Sequence, residues 1–322
     1  MLRIQPATGE RLQPALGLLF SPLPAKARTR RIAEIRREID EGDFDPKFLL
    51  LAKDNSNPVG VQLTVIRDDD VGMVWPPVVA AEFKGLASES IEDALLSEAT
   101  RRLDKTKAWI GQSLLEPEQT REHAALQRNG FTRLTELRFF ERLLSDTSDQ
   151  PERAARLRLK YEPFRRTKNR AEFAGVLDAT YRGSLDCPEF NGVRDGRQSL
   201  KNHEAVGAFT SDMWRLYRRD GADVGVLLLV KRFDQKAWEV LYLGVVEAAR
   251  RSGIGRAMLL DAIDAARGAN AERLLIVADV RNLPAVGLYE SLGFQPMATR
   301  VAFVRLANAL PGHRPYDSAR QQ

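Results

Sequence analysis

The chain contains 322 residues, which is enough for two domains of ordinary size. Hydrophobic residues make up 43% and charged residues 29%, a globular composition that excludes a disordered or low-complexity chain. The single cysteine excludes an internal disulfide, and the three scattered histidines form no zinc-binding cluster, so we expect no bound metal. The net charge of +5 permits an anionic partner.

Features of membrane or nucleic-acid binding are weak in this sequence. The longest strongly apolar run, residues 224–230, is far shorter than the roughly 20 residues of a membrane-spanning helix. Basic residues are mixed with acidic and apolar ones, and aromatic residues make up only 7%, so no platform that stacks bases is evident. Residues 1–6 carry a charge and a proline where a secretory signal needs an apolar core. We therefore expect a cytoplasmic protein without a membrane or nucleic-acid partner.

A polar, turn-rich segment at residues 145–152 predicts a linker that divides the chain nearly in half. We predict one domain at residues 1–144 and a second at 153–308. Residues 309–322 contain few apolar side chains and are predicted to form a carboxy-terminal tail.

The second half begins with a strand-like alternation at residues 157–161, followed by a helical face that includes Phe173 and Leu177. A glycine-containing turn at 220–223 joins two β-rich runs into a predicted hairpin. Further strands are predicted at 238–246, 274–280 and 294–305, with helices from the glycine loop to Ala266 and from Pro284 to Gly293. This order predicts an α+β domain in which helices flank a mixed central sheet.

The end of the first half resembles the end of the second half. A helix ends at Gly130-Phe131, and the same pair recurs as Gly293-Phe294 among similar predicted elements. A repeat of this length indicates two duplicated domains rather than a solenoid. Glycine closes helices in many folds, so the short match alone also permits two unrelated helix ends.

The most informative segment joins a predicted strand to a predicted helix and contains Gly253 and Gly255. Glycines in such a turn leave backbone N–H groups accessible, and the helix dipole adds positive potential there. Arg250, Arg251 and Arg256 flank the turn and favour a diphosphate. No GxxxxGK[ST] motif and no third glycine of a dinucleotide fingerprint accompany it. On these residues alone, an anion site and a plain tight turn both remain open.

A resemblance of two motifs, in this order along the chain, favours the anion site over the plain tight turn. Arg250-Arg251-Ser252-Gly253-Ile254-Gly255 resembles the acyl-coenzyme A loop of the GNAT superfamily of N-acyltransferases, and Asn282 to Phe294 resembles that family's Asn-x-x-Ala-x-x-x-Tyr-x-x-x-Gly-Phe segment. The resemblance covers about residues 157–306. The two-domain layout is also similar to tandem-domain members of this family, whose carboxy-terminal half is catalytic. It implies two GNAT-like α+β domains and transfer of an acetyl group from acetyl-coenzyme A (acetyl-CoA) by direct attack of an amine.

The resemblance also implies the residues that hold acetyl-CoA. Backbone groups around residues 243–245 would pair with the pantetheine arm, between two strands that separate at this point, and the amides of 251–256 would hold the diphosphate. Asn282 would bond near the pantetheine, although it also suits a helix N-cap. The complete set implied is Leu243, Gly244, Val245, Arg250, Arg251, Ser252, Gly253, Ile254, Gly255, Arg256, Asn282 and Ala285.

Tyr289 and Glu239 are the candidate catalytic residues. By the resemblance, Tyr289 donates a proton to the departing thiolate; the alternative is a half-buried aromatic residue. Glu239 matches the base of tandem members; the alternative is a solvated strand residue. A base is useful because an alkylamine of pKa about 10.4 is mostly charged at neutral pH.

Acceptor recognition is predicted in the loop after the first helix of the second domain. Asp186 and Glu189 have the charge to pair with an ammonium, and Arg194 has the charge to pair with an acid. We do not expect Cys187 to be a nucleophile, because no histidine lies near it in sequence. The acceptor is expected to be a small-molecule amine or a protein amine.

The first domain departs from the family pattern. It has one glycine, Gly85, where two are expected, and Leu126 stands where the second domain has Tyr289. We expect a non-catalytic scaffold and a monomer whose two domains pair internally. Two rival functions remain open: a non-catalytic protein that binds or senses acyl-CoA, and a nucleic-acid binder whose affinity falls with salt.

Overall fold

The computed structural model describes residues 2–42, 44–66, 70–145, 157, 159–190, 195–204, 208–232 and 236–306. The predicted tail at 309–322 and nearly all of the predicted linker lie outside these residues, as does Arg194. The chain forms two compact units: unit 1 is residues 1–134 together with the chain from 301 onward, and unit 2 is residues 135–300.

The strands are β1 (Leu2–Pro6), β2 (Leu49–Asp54), β3 (Asn57–Ile66), β4 (Val71–Val74), β5 (Val78–Val79), β6 (Ile110–Leu115), β7 (Thr132–Leu143), β8 (Lys160–Pro163), β9 (Ala208–Arg219), β10 (Ala222–Arg232), β11 (Ala237–Val245), β12 (Arg273–Asp279) and β13 (Gln295–Leu306). The α-helices are α1 (Leu12–Leu19), α2 (Ala25–Glu41), α3 (Leu86–Leu103), α4 (Thr120–Arg128), α5 (Arg170–Tyr181), α6 (Gly196–Glu204), α7 (Ile254–Gly268) and α8 (Leu283–Ser291). In the described part of the chain, no helix is both long and apolar enough to cross a membrane.

Both units contain the same sequence of strand pairings. In unit 1, the neighbouring pairs β1–β2, β2–β3 and β3–β4 are antiparallel, β4–β6 is parallel, and β6 pairs antiparallel with the second half of β13. In unit 2, β8–β9, β9–β10 and β10–β11 are antiparallel, β11–β12 is parallel, and β12 pairs antiparallel with β7. The prediction of two α+β domains with mixed sheets is therefore confirmed.

In each unit, the strand that pairs antiparallel with the last parallel strand comes from the other half of the chain. β7 follows α4 of unit 1 but pairs with β12 of unit 2, and residues 301–306 follow unit 2 but pair with β6 of unit 1. The sequence analysis placed one linear break at residues 145–152, whereas the units change at residues 134 and 301. The reason is that hydrogen bonding between strands, and not their order in the chain, decides which unit a strand completes.

Unit 2 has helices over both faces of its sheet, which explains the unbroken apolar run in β10. Leu227 and Leu229 belong to the core cluster that contains α7, and Val226 and Leu228 belong to the cluster that contains α5. A strand buried on both faces loses the polar alternation of a half-exposed one. The predicted hairpin is confirmed as β9–β10, whereas the short polar helix α6 was not predicted.

Candidate active site

The parallel strands β11 and β12 of unit 2 separate before either strand ends. Their pairing stops at Val240 and Ile276, although β11 continues to Val245 and β12 to Asp279. On the other side of β11, Leu228 and Leu229 of β10 pair with Tyr242 and Val240, so Leu241 is an extra, bulged residue. A bulge bends its strand and increases the local twist, which accounts for the gap opening directly after Val240.

A cavity of about 510 Å³ lies at this gap, and all of its lining residues belong to unit 2. It is lined by β11, β12, the loop at residues 183–186, the turn before α7, and one face of α8. Of the predicted cofactor residues, those that line the cavity are Leu243, Gly244, Val245, Arg250, Arg251, Gly253, Gly255, Arg256, Asn282 and Ala285. The structure thus brings together two motifs that lie about 30 residues apart in sequence.

The turn before α7 leaves several backbone amides without helical partners. Gly253 is the N-cap with φ of 83°, a left-handed conformation that favours glycine, and no side chain caps the helix there. The first helical bond into this turn runs from the Ala257 amide to the Gly253 carbonyl, so the amides of residues 254 and 255 precede the first bond of the helix. Such an N-terminus, with its positive dipole end, favours an anion.

Unlike Gly253, Gly255 does not have a left-handed backbone conformation that favours glycine. Its backbone is helical, and a Cβ there would meet only Leu288 at 3.6 Å and Val245 at 3.8 Å, both ordinary contacts. The protein's own packing therefore does not require glycine at 255. With no side chain at 255, the amides of this turn are open to a phosphate, and the residues present fit such a group.

The three arginines at the turn have different surroundings. The Arg250 guanidinium donates hydrogen bonds to carbonyl oxygens of Val245, Thr180, Arg182 and Gly183. Arg250, predicted to strengthen diphosphate binding, therefore holds the end of α5 against the turn. Arg256 donates to the Ser291 hydroxyl at 2.9 Å, and Arg251 lines the cavity with φ of 60°.

Two predicted cofactor residues do not line the cavity. The Ser252 hydroxyl donates to the Ala249 carbonyl at 2.6 Å, and Ile254 is buried in the core below α7. Their side chains therefore stabilise the turn. Asn282 has both expected features: its side chain accepts a hydrogen bond from the Ala285 amide at 3.3 Å as an N-cap, and it also lines the cavity.

Tyr289 lines the cavity from α8 and is only 6% exposed. Its ring packs edge-on against Phe140 of β7, with centroids 5.9 Å apart. Burial, together with the negative charge of Asp186, raises the pKa of the Tyr289 hydroxyl well above its ordinary value. The group is therefore a proton donor throughout the neutral range.

Glu239 does not lie at the cavity. It pairs with Leu275 of β12, below the point at which the strands separate, and its carboxylate accepts a hydrogen bond from Arg232 Nε at 2.5 Å. Arg232 is its diagonal neighbour on β10, a position from which a long side chain reaches across strands. The structure therefore does not bring Glu239 together with Tyr289, and the expectation of a base at Glu239 finds no support in its geometry.

The loop after α5 is fastened to the end of β12. Asp186 Oδ1 accepts a hydrogen bond from the Asp279 amide at 2.8 Å, and Asp279 Oδ2 accepts one from the Cys187 amide at 3.1 Å. Arg281 pairs with Asp279 at 2.7 Å and holds both carboxylate oxygens of Glu189, at 2.6 and 3.0 Å. Of the predicted acceptor residues, Asp186 lines the cavity and Glu189 does not.

Sequence reasoning missed Asp279, Arg281 and Thr135. Asp279 is fully buried, and its carboxylate also accepts a hydrogen bond from the Thr135 hydroxyl at 2.7 Å. Two charged residues within the three positions before Asn282, at the end of a predicted strand, were a usable sign. Thr135 gave no sign, because it lies 144 positions away along the chain. Among the described residues, no group of three His, Cys, Asp or Glu side chains is placed to hold a metal ion.

Unit 1 carries different side chains at the equivalent elements. Gly85 is the N-cap of α3, and within the following two turns Ser88 and the 5%-exposed Glu92 both accept hydrogen bonds from Arg121 of α4. Leu126, which corresponds to Tyr289, is fully buried. A charged network therefore stands in unit 1 where unit 2 has glycines and a cavity.

Residues 179–294 match the family model described as the acetyltransferase (GNAT) family. The match contains the separated strands, the glycine turn and Tyr289. Residues 179–294, within unit 2, are thus similar to the GNAT family. The family resemblance predicted from the two motifs is therefore confirmed for this part of the chain.

One relative and several solved structures are similar to the chain. The chain is 39% identical over 67 residues to the mycothiol acetyltransferase of Acidothermus cellulolyticus, a match that spans about a fifth of either protein (21% of this chain and 20% of the relative). The crystal structure of a GCN5-related N-acetyltransferase from Sphaerobacter thermophilus is similar over 98% of both chains, with a TM-score of 0.57 and 14% identity.

A second solved structure is a glucosamine N-acetyltransferase region of a fungal multi-domain GH3 β-N-acetylglucosaminidase. It is 13% identical, with a TM-score of 0.54, and the similarity covers 79% of this chain and 32% of that one. At these identities the two solved structures establish the fold alone.

Proposed function

We propose that unit 2 is an acetyl-CoA-dependent N-acetyltransferase that moves an acetyl group to a primary amine by direct attack of the amine on the thioester. The observation that carries this proposal is a single cavity lined by the unpaired end of β11, the glycine turn before α7 and the buried Tyr289. Unit 2 therefore holds on its strands and helices a site for phosphate, a gap for the narrow pantetheine arm, and a proton donor.

Different residues of the chain would bind the pantetheine arm and the diphosphate of acetyl-CoA. The backbone of residues 243–245, beyond the last pairing with β12, is available to the pantetheine arm. The amides at the start of α7 and the charge of Arg251 and Arg256 would hold the diphosphate. Once bound, the thioester supplies an activated acyl carbon and a thiol leaving group.

Two proton transfers complete the reaction. The amine must reach its free-base form, which for an alkylamine of pKa about 10.4 costs roughly 4 to 5 kcal/mol at neutral pH. The Tyr289 hydroxyl would donate its proton to the sulfur as the C–S bond breaks. The raised pKa keeps the Tyr289 hydroxyl protonated at neutral pH, so it can donate to the sulfur as negative charge develops there. The proton released from the attacking nitrogen as the amide forms replaces the one given to the sulfur.

The decisive experiment measures binding and turnover separately. Calorimetry of the full chain with acetyl-CoA tests the cavity, and release of free thiol with a panel of primary amines tests transfer. Glucosamine belongs in the panel because the fungal region similar to this chain is named for it. Heat of binding with an amine-dependent release of thiol is expected. Binding without product from any amine would favour a sensor of acyl-CoA, and absence of binding would refute the proposal.

A further inference from the structure

The helix that carries Tyr289 is short and buries few of its own side chains. α8 spans nine residues, of which Val286 and Tyr289 are buried. A helix of this length is marginal by itself, and packing against other elements determines where it lies. The place of the Tyr289 hydroxyl at the cavity therefore depends on the elements that contact α8.

Strand β7 contacts α8 through residues on one of its faces. Arg138, Phe140 and Arg142 alternate along the strand, so their side chains lie on the same side of the sheet. The Arg138 guanidinium lies 3.9 Å from the Glu290 carboxylate, and the Phe140 ring packs edge-on against the Tyr289 ring. Through Phe140, a strand of the sheet contacts the Tyr289 side chain directly.

Arg142 holds the carboxy-terminal end of α8. It is 3% exposed, and its guanidinium donates a hydrogen bond to the carbonyl oxygen of Leu292, the C-cap of the helix. The last carbonyls of a helix have no partner within it, and a positive charge there also complements the helix dipole. Gly293 follows with φ of 75°, so the chain leaves the helix here. Arg142 therefore fixes α8 about one turn after Tyr289.

The same strand supports the side of the gap that β12 forms. Phe140 pairs with Ile276, the last residue of β12 that pairs with β11. Beyond this point β12 no longer pairs with β11, but its pairing with β7 continues to Asp279. All of these residues belong to unit 2. Because β7 contacts both β12 and α8, it sets where Tyr289 lies relative to the gap.

We propose that Phe140 and Arg142 are positioning residues for Tyr289, which fix α8 so that the hydroxyl meets the sulfur of the bound thioester. This inference rests on the proposed function and deepens it. Strand β7 lies before residues 179–294, so part of the catalytic geometry comes from outside the segment that matches the family model. Neither side chain lines the cavity, so both act through Tyr289. Their loss should lower kcat and leave the binding of acetyl-CoA nearly unchanged.

Two substitutions in β7 test this positioning. Phe140→Leu removes the ring and keeps a buried apolar side chain, and Arg142→Met removes the hydrogen bond and the charge. Each should lower kcat about tenfold and leave the dissociation constant of acetyl-CoA within about threefold, because catalysis depends steeply on geometry. Arg142→Lys keeps a positively charged donor and should retain kcat within about threefold. Thiol release is measured with the panel amine that the unmodified protein acetylates fastest, and calorimetry measures the binding of acetyl-CoA.

Unit 1 supplies matched controls, because its residues 301–306 pair with β6 as β7 pairs with β12. Phe303 is fully buried there, with its ring centroid 5.1 Å from that of His123 in α4, and Arg305 pairs with Asp104 at 2.8 Å. Phe303→Leu and Arg305→Met remove the same kinds of contact from unit 1. Both should leave kcat within about twofold, since neither residue contacts α8.

A double-mutant cycle separates positioning from a general loss of structure. In a Tyr289→Phe background there is no hydroxyl to displace, so Phe140→Leu should change kcat by less than about twofold. A structural defect would lower kcat by the same factor in both backgrounds, and that result overturns the inference. If Arg142→Met does not fold, Phe140→Leu and this cycle decide the question. An unchanged kcat in Phe140→Leu also overturns the inference and leaves the proposed function standing, whereas no thiol release by the unmodified protein with any amine counts against both.

Discussion

Tyr289 is buried and also lines the cavity of unit 2. Burial among Phe140, Phe294 and the α7 core explains its position and its high pKa together. The interpretation as a packed aromatic residue and the interpretation as an acid are therefore compatible. Its packing is what keeps it protonated.

Replacement of Tyr289 by Phe tests the acid role. The ring and its packing are retained, so we expect the affinity for acetyl-CoA by calorimetry to stay within twofold. Loss of the proton donor should reduce kcat by about 10²-fold, the lower end for general acid catalysis. Tyr161→Phe, an exposed tyrosine of β8, is the matched control and should leave kcat unchanged. An unaltered kcat in Tyr289→Phe would show that sulfur leaves without this proton.

The pair Asp279–Arg281 fastens the Asp186 loop, and its loss should be visible as stability. Burial acts to raise the pKa of Asp279, but hydrogen bonds from Arg281 and Thr135 outweigh it, so that pKa is lowered overall. A lowered folded-state pKa stabilises the protein above the ordinary pKa of an aspartate, and this contribution is lost as pH falls through the folded value.

Arg281→Gln should therefore lower the free energy of unfolding by about 1–3 kcal/mol at neutral pH, because the buried Asp279 carboxylate loses its positively charged partner. It should also raise the pKa of Asp279 and move acid unfolding to a higher pH. Denaturant titrations at several pH values measure both effects. Arg219→Gln, which removes only an exposed pair with Asp220, should change stability by less than about 0.5 kcal/mol. Identical acid midpoints for Arg281→Gln and the unmodified protein would contradict this account.

At the scale of elements, the site depends on how one strand and one helix begin and end. The bulge at Leu241 ends the pairing of β11 with β12, and the left-handed Gly253 aims the first amides of α7 at the gap. Sequence motifs identified the turn, because its glycines are legible. The bulge was not predicted, since residues 238–246 show only the pattern of an ordinary strand.

Gly255→Asp separates the stability of α7 from its function. The helix dipole favours an aspartate in the first turn, and a Cβ at 255 meets no close atom, so the melting temperature should be unchanged or higher. The same carboxylate should repel the diphosphate and raise the dissociation constant for acetyl-CoA at least tenfold. Gly268→Ala, at the other end of α7 with no neighbour within 4 Å, should leave binding unchanged. Equal affinities for the two variants would remove the role assigned to this turn.

At the scale of the whole molecule, each half of the chain supplies a strand to the unit formed mainly by the other half. Phe303 of β13 is fully buried in the unit 1 core with Leu103, Leu126 and Phe131. Phe294, nine residues earlier, is buried in the unit 2 core with Tyr289 and Leu292. Neighbouring residues in sequence thus stabilise different cores.

Phe303→Ala and Phe294→Ala are a matched pair for this exchange. Each should cost about 3–5 kcal/mol through the cavity it leaves. By hydrogen exchange, Phe303→Ala should reduce protection in β6, residues 110–115, and Phe294→Ala should reduce it in β12, residues 273–279. If Phe303→Ala reduces protection first in β12, the assignment of residues 301–306 to unit 1 is wrong.

The sequence by itself determined the α+β class and the duplication, because these depend on local patterns such as alternation and helix ends. It also pointed to the glycine turn and to Tyr289, through the resemblance of two motifs to the GNAT family. Only the tertiary structure decided the exchange of strands, the gap after Val240, the pairing of Glu239 with Arg232 and the position of Asp186 at the cavity. The physical reason is that a local pattern fixes which backbone conformation a segment adopts, whereas the partner of a strand edge or a charged side chain depends on residues that are distant in sequence.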